Sequence, residues 1–173
     1  MAVHEIVLLG DPVLREVAED VQAFDKSLRA LVRDMFETMY HAEGIGLAAP
    51  QIGISSRVIV IDLAREDEEG DEPIALVNPR LTWLGDDLKK KSEGCLSIPG
   101  LEEIVERAAD VRVEGKDPLG KPVSVMANEL LARALQHEID HLDGVLFLDR
   151  VSPLKRKLLL KKWKKLEAEA EDE

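Results

Sequence analysis

The stretch Ala134-Leu135-Gln136-His137-Glu138-Ile139-Asp140-His141-Leu142-Asp143-Gly144 constrains this chain more than any other. Leu131, Leu135, Ile139 and Leu142 recur at helical spacing, Asn128 can cap the start and Gly144 can end it. Residues four apart in a helix lie one turn apart on the same face. His137 and His141 can therefore aim imidazole nitrogens at one point, with Glu138 near it but off their row. Two imidazoles and a neighbouring carboxylate are the arrangement that holds a divalent metal and services its water. The bland alternative is two surface histidines and a solvated glutamate. Scarcity counts against it, since the whole chain has only 4 histidines.

Composition enters as a set of exclusions. A length of 173 residues fits one domain, 1–173, large enough to bury a core without staples. Aromatic residues are scarce at 3%, so that core must be built from Leu, Val, Ile and Ala. A net charge of −12 argues against general DNA or RNA affinity. With Cys95 the only cysteine, no internal disulfide can form, and a reducing compartment is the natural setting. Met1-Ala2-Val3-His4-Glu5 does not read as a signal peptide, and no apolar run approaches a membrane span. The expectation is a cytoplasmic, single-domain protein without internal repeats.

Along the chain, Gly10-Asp11-Pro12-Val13-Leu14-Arg15 reads as a turn in an irregular surface segment. Asp25 caps a first helix whose stripe is Leu28, Leu31, Val32, Met35 and Met39, closed by Gly44. Gly44 to Gly53 reads as a loop of small residues in which Gly46 permits close backbone approach and Gln51 offers both a donor and an acceptor. It lacks the spacing and lysine of a phosphate loop. Arg57–Asp62 reads as a buried strand, Arg65–Glu72 as a solvated acidic loop, and Ile74–Pro79 as a strand stopped by its proline. Further strand is expected at Leu81–Leu84 and Lys89–Ser92 about a Gly85-Asp86-Asp87 turn. Val111–Glu114 and Val123–Met126 alternate at period two around Asp117-Pro118-Leu119-Gly120, a hairpin. Ser152-Pro153 opens a last helix with Leu158, Leu159, Trp163 and Leu166 on one side. The sum is an α+β fold, antiparallel or mixed strands packed around the central histidine helix, with one helix before it and one after.

Two histidines need a third protein ligand. Asp143 lies too close to His141, while Asp149 and the acidic tail are weak candidates. Upstream stands Ser92-Glu93-Gly94-Cys95-Leu96-Ser97. A lone cysteine is most often a small buried hydrophobe, but beside Gly94, in a chain that needs one soft ligand, Cys95 is a better candidate than any carboxylate.

Three segments now stand together: Gly44-Ile45-Gly46-Leu47-Ala48-Ala49-Pro50-Gln51, Glu93-Gly94-Cys95-Leu96-Ser97 and Gln136-His137-Glu138-Ile139-Asp140-His141. In order and approximate spacing they resemble the signature motifs of the peptide deformylase family. The resemblance extends to Asp11–Arg15, Asp34–Tyr40, Gly144–Phe147 and Ser152–Lys155, nearly the whole chain. It implies a hydrolase that removes formate from the N-formylmethionine of new polypeptides. It also implies a divalent ion on Cys95, His137 and His141, usually Fe2+, with Zn2+, Ni2+ or Co2+ as substitutes. Ligand type alone does not choose among these. Water on that ion would attack the formyl carbon, with Glu138 as general base and then acid. By resemblance, the Gln51 amide and the Leu96 N–H would donate to the developing oxyanion.

Ile45, Gly46 and Gly94 would let the peptide main chain pass closely. Ile45, Leu130, Ala134 and the base of His137 would wall the methionine pocket. Arg133 is expected to lay its stem along the rim with its head in water. Glu93 and Asp140 are candidates to orient the ligands. One departure is local: family members often carry an arginine a few residues after the cysteine motif. Here Arg107 is retained, but Glu102-Glu103 stands against a basic contact to the peptide. The basic run Lys155–Lys165 reads either as a solvated face balanced by the acidic tail (Glu167–Glu173) or, by resemblance, as a dock on ribosomal RNA. Two other readings use less of the chain. A metallopeptidase leaves Cys95 and Gln51 unused, and a ribosome-binding module with a structural metal leaves Glu138 idle.

Overall fold

The computed structural model describes residues 2–64 and 72–171. The acidic segment expected as a loop lies, except for Glu72, outside the described residues, as do the last two residues of the acidic tail. In chain order the elements are α1 (Lys26–His41), β1 (Gly46–Ala48), β2 (Val58–Ile61), β3 (Ile74–Leu84), β4 (Leu88–Gly94), β5 (Glu102–Ala108), β6 (Asp110–Lys116), β7 (Pro122–Asn128), α2 (Glu129–Leu142) and α3 (Pro153–Glu171). Short 3-10 turns lie between several of them. The fold is α+β, and every strand pairing is antiparallel among the described residues.

A five-stranded sheet runs in the order β1-β2-β3-β6-β7, with β4-β5 as a separate ribbon. Alternation along β2 explains why it reads as continuously apolar. Val58 and Val60 pack with Leu28, Val32, Met35 and Met39 of α1, whereas Ile59 and Ile61 pack with Leu131, Leu135 and Ile139 of α2. Helices cover both faces, so both sets of side chains must be apolar. Met35 and Met39 are wholly buried, and truncating either to alanine costs about 2–5 kcal/mol. A third core joins Val105 of β5 and Phe147 to Leu159 and Trp163 of α3.

The helix signals hold with local adjustments. Asp25 accepts from Leu28 N–H at the start of α1. At its end, Glu43 rather than a glycine takes the left-handed turn (φ 59°), and Gly44 N–H bonds back to Met39 O. Asn128 precedes α2 in an extended conformation but makes no side-chain cap bond. Gly144 does end α2, at φ +75°, and a β carbon there would meet Arg15 O at 2.6 Å. Ser152 caps α3 through Lys155 N–H, but Leu158 is exposed while Leu159 and Trp163 are buried.

The strands differ more. Pro79 does not stop β3, which runs on to Leu84. Asn78 takes φ 52° and the register shifts between Val77 and Arg80, so the proline falls at an irregularity where a ladder bond is already missing. β3 and β4 do not pair across Gly85-Asp86-Asp87, because β4 pairs with β5 instead. β5 itself went unread, since Glu102-Glu103-Ile104-Val105-Glu106-Arg107-Ala108 shows little alternation and many helix formers. Part of the Gly44–Gly53 loop forms β1, paired to β2 with Gly46 opposite Ile61.

Candidate active site

Helix α2, the β1 edge and the turn after β4 meet at one cavity of about 720 Å³. Ile45, Gly46, Gly94, Leu130 and Ala134 all line it, with Gln51, Cys95, Leu96, His137 and Glu138. On α2 the two histidines turn their Nε2 atoms toward each other at 3.2 Å. Cys95 Sγ, from the turn after β4, lies 3.3 Å from His141 Nε2. The three ligand atoms all fall within 4.8 Å of one another. A tetrahedral ion with bonds of about 2.0–2.3 Å separates its ligand atoms by about 3.3–3.7 Å, so the spacing fits a divalent metal. A soft thiolate with two imidazoles suits iron or zinc better than calcium or magnesium.

The surroundings differ for the two rings. Glu93 Oε1 sits 3.0 Å from His137 Nδ1, so that nitrogen can donate to the carboxylate and leave Nε2 as the ligand atom. His141 Nδ1 is buried without a partner among the described residues. Burial disfavours a charged His137, yet Glu138, Cys95 and Glu93 outweigh it and hold its pKa above the ordinary imidazole value. Burial and then repulsion from His137 push His141 well below it. An arriving cation would displace a proton from this pair.

Glu138 is buried, with one carboxylate oxygen unpartnered among the described residues. Burial is the main force raising it, with His137 opposing and Glu93 adding, to a pKa of about 7. Only a glycine fits opposite: a β carbon on Gly46 would meet Glu138 Oε2 at 2.5 Å. Gln51 is held just as firmly. Its Oε1 accepts from Ala48 N–H, which forces Nε2 toward Ser97 Oγ at 3.1 Å and Cys95 Sγ at 3.5 Å.

Beneath the histidines lies a buried ion network that sequence reading placed only in part. Glu93 accepts from Arg107 Nε and Nη2 at 2.8 and 2.9 Å. Arg133 also donates to Glu93, and further to Val105 O and Lys89 O. The Arg133 head is therefore buried in the protein, not in water, because three acceptors converge on it. Arg107 is likewise buried and donates to Asp140, so it lies below the cavity rather than along a bound peptide. Burial pushes Glu93 up, but His137 and Arg107 overcome this and bring it to about 2.

The Asp140 side chain makes no hydrogen bond to either histidine among the described residues; Arg107 and Arg150 hold it. Asp143 and Asp149, the downstream alternatives for a ligand, are turned away, paired with Arg57 and Arg15. Glu102, read from the sequence as an acidic neighbour of the peptide, lines the cavity, and so does Lys162, which the sequence did not point to. Ser97 followed directly from the cysteine motif, but nothing in the helical pattern of α3 points Lys162 toward the cavity.

Comparison with known proteins agrees with this geometry. The family model for polypeptide deformylase matches residues 3–157. A peptide deformylase of Brucella suis biovar 1 is 51% identical over 166 residues, covering 96% of this chain and 94% of the relative. The crystal structure of a peptide deformylase from Legionella pneumophila superposes with a TM-score of 0.90 at 45% identity, covering 99% of both chains. A Synechococcus elongatus peptide deformylase, solved in complex with actinonin, gives 0.86 at 49% identity, over 92% of this chain and 86% of its own. The matched segment takes in the β1 edge, the Cys95 turn and both histidines of α2, and the chain belongs to the polypeptide deformylase family.

Proposed function

We propose that this protein removes the formyl group, as formate, from the N-terminal formylmethionine of newly made polypeptides. The observation that carries the reading is the convergence of Cys95 Sγ, His137 Nε2 and His141 Nε2 beside a buried Glu138 and a fixed Gln51 amide. Those three atoms would hold a divalent ion, ferrous iron by preference with zinc, nickel or cobalt as substitutes. Such an ion, when bound, supplies an acidified water and an electrophile for the formyl oxygen.

The chain's own groups do the rest. Glu138, desolvated and against Gly46, accepts the proton of the attacking water and returns it to the departing amine. Gln51 Nε2 and the Leu96 N–H donate to the oxygen on which negative charge develops. Donors of this kind are worth about 3 kcal/mol each. A carboxylate at position 51 would repel that charge. Ile45, Gly46 and Gly94 offer main chain to the peptide, and Leu130 and Ala134 with Ile45 give the methionine an apolar wall. Glu93 keeps His137 in one tautomer and orientation.

Residues 1–173 are proposed to work as one catalytic domain in the cytoplasm, where nascent chains emerge. No helix among the described residues is long and apolar enough to cross a membrane. A second proposal concerns α3: Lys155, Arg156, Lys157, Lys161, Lys162, Lys164 and Lys165 would dock it on ribosomal RNA. Deleting 155–165 should weaken salt-sensitive co-sedimentation with ribosomes, and unchanged binding would sink that proposal.

The deciding experiment measures formate release from formyl-Met-Ala-Ala by protein prepared without oxygen and assayed for metal. Release with about one ion per chain is expected. Glu138→Ala should bind the ion but lose about 10²–10⁴-fold in kcat. Full activity in that variant would break the acid–base assignment.

A further inference from the structure

The five-stranded sheet ends in two different edges. One is β1, only three residues long, beside the cavity. The other is β7, whose seven residues pair with β6 on one side and with nothing on the other among the described residues. Free edges are usually blunted by a charge, a bulge or a proline, because their open N–H and C=O groups template pairing with another chain. β7 has Pro122 only at its first position, no charged residue, and an unbroken register with β6. Val123 and Val125 pack against the core beneath the sheet yet stay only half-buried at its margin. On the outer face Met126 is 57% exposed, in line with Arg112 and then Trp83, itself 47% exposed.

We infer that β7 is an interface for a second copy of this chain, which adds its own β7 antiparallel about a two-fold axis through Val125, perpendicular to the sheet. Register and charge select this occupant. Val125 is the middle of Pro122–Asn128, so this axis keeps the whole strand paired. It sets Val123 against Ala127 of the second copy, Ser124 against Met126, and, one step beyond each end, Lys121 against Glu129. Moving the axis by one residue loses that match, because Lys121 then faces Ala127 or Leu131. Lys121 makes no ion pair among the described residues, and Lys89 occupies only one oxygen of Glu129. Glu129 also keeps its side chain at φ 49°, a conformation in which glycine would be easier. By symmetry the charge match occurs twice. The two Met126 side chains, diagonal across the joint, come within reach of each other, and Val125 meets its own copy on the inner face. A two-fold contact uses the same edge of both chains and closes after two. The β1 edge lies at the opposite end of the strand order and stays open.

The test is the mass of the metal-loaded full chain by sedimentation equilibrium over a concentration series. The protein should pass reversibly from one chain to two, and amide exchange within residues 123–127 should slow as it does. Met126→Lys brings two like charges together at the joint and should raise the dissociation constant about tenfold. Lys121→Glu and Glu129→Lys should each raise it about three- to tenfold, and combining them should restore the dimer by exchanging the charges. The effect of either single charge variant should shrink in high salt. A mass of one chain at every concentration up to about 1 mM overturns the inference. So does a dimer that Met126→Lys leaves intact, or one that the paired charge exchange fails to restore.

Discussion

Two arginine–carboxylate networks hold this protein together, and they differ in almost everything but chemistry. The inner one joins β4, β5 and α2: Glu93 with Arg107 and Arg133, and Asp140 with Arg107 and, at the surface, Arg150. The outer one ties the turn at Arg15 to Asp149 and the start of α3 at Arg156. Side chains of Glu93 and Arg107 are 5% and 4% exposed, those of Arg15 and Arg156 40% and 44%. In water a charge pair gains little because solvent screens it and the long side chains lose entropy. In the interior an unpaired partner is stranded. Function follows the same division: the inner network ends on His137 Nδ1, whereas the outer one closes a joint between surface segments.

The largest effect should come from breaking the inner network outright. Glu93→Ala leaves buried Arg133 with no carboxylate and buried Arg107 with Asp140 alone, and is expected to cost about 3–5 kcal/mol, measured by urea unfolding. A loss under about 1 kcal/mol would mean that water or backbone acceptors replace Glu93, and the contrast between the networks would collapse. Glu93→Gln separates stability from ligand control. It keeps the shape but removes the charge that steadies His137, so metal affinity should fall about 10- to 100-fold in a chelator competition.

In the outer network, Asp149→Asn should cost only about 1 kcal/mol. Most of that should vanish in 1 M NaCl, where charges are screened within about 3 Å; the Glu93→Ala loss should persist. The smallest effect is the pH dependence of the Asp149 contribution. Partial burial pushes its carboxyl up, but Arg15, Leu146 N–H and Arg156 outweigh this and hold it below the ordinary 3.8. A lowered folded pKa means the stabilisation is complete above 3.8 and is lost as the pH falls through the folded value. The stability gap between the protein and Asp149→Asn should therefore close only on the acid side. A gap that closes near neutrality would show that another group governs this joint.

Much of the site was legible because its chemistry is local. A pair of histidines four apart on an apolar helix can face only one way, and Gly46 and Gln51 sit in a run whose small residues leave room for little else. The ribbon was not legible. Glu102 to Ala108 has the composition of a helix, and only pairing with β4 makes it a strand. For the same reason the fates of Arg107 and Arg133 were hidden, since sequence assigns charged groups to water by default. Pro79 misled because a proline inside a strand is tolerated only at an irregularity, and that irregularity is a property of the pairing with β6.

What the amino-acid order determined by itself was whatever acts within one helical turn or one strand alternation. This covers the caps at Asp25 and Ser152, the two-sided apolar β2, the hairpin at Asp117–Gly120 and the common face of His137 and His141. Only the tertiary structure decided which distant groups complete them: Cys95 brought 3.3 Å from His141, Glu93 set against His137 and Arg133 drawn inward. Each of these depends on desolvation, and a group leaves water only when the packed chain supplies its partners.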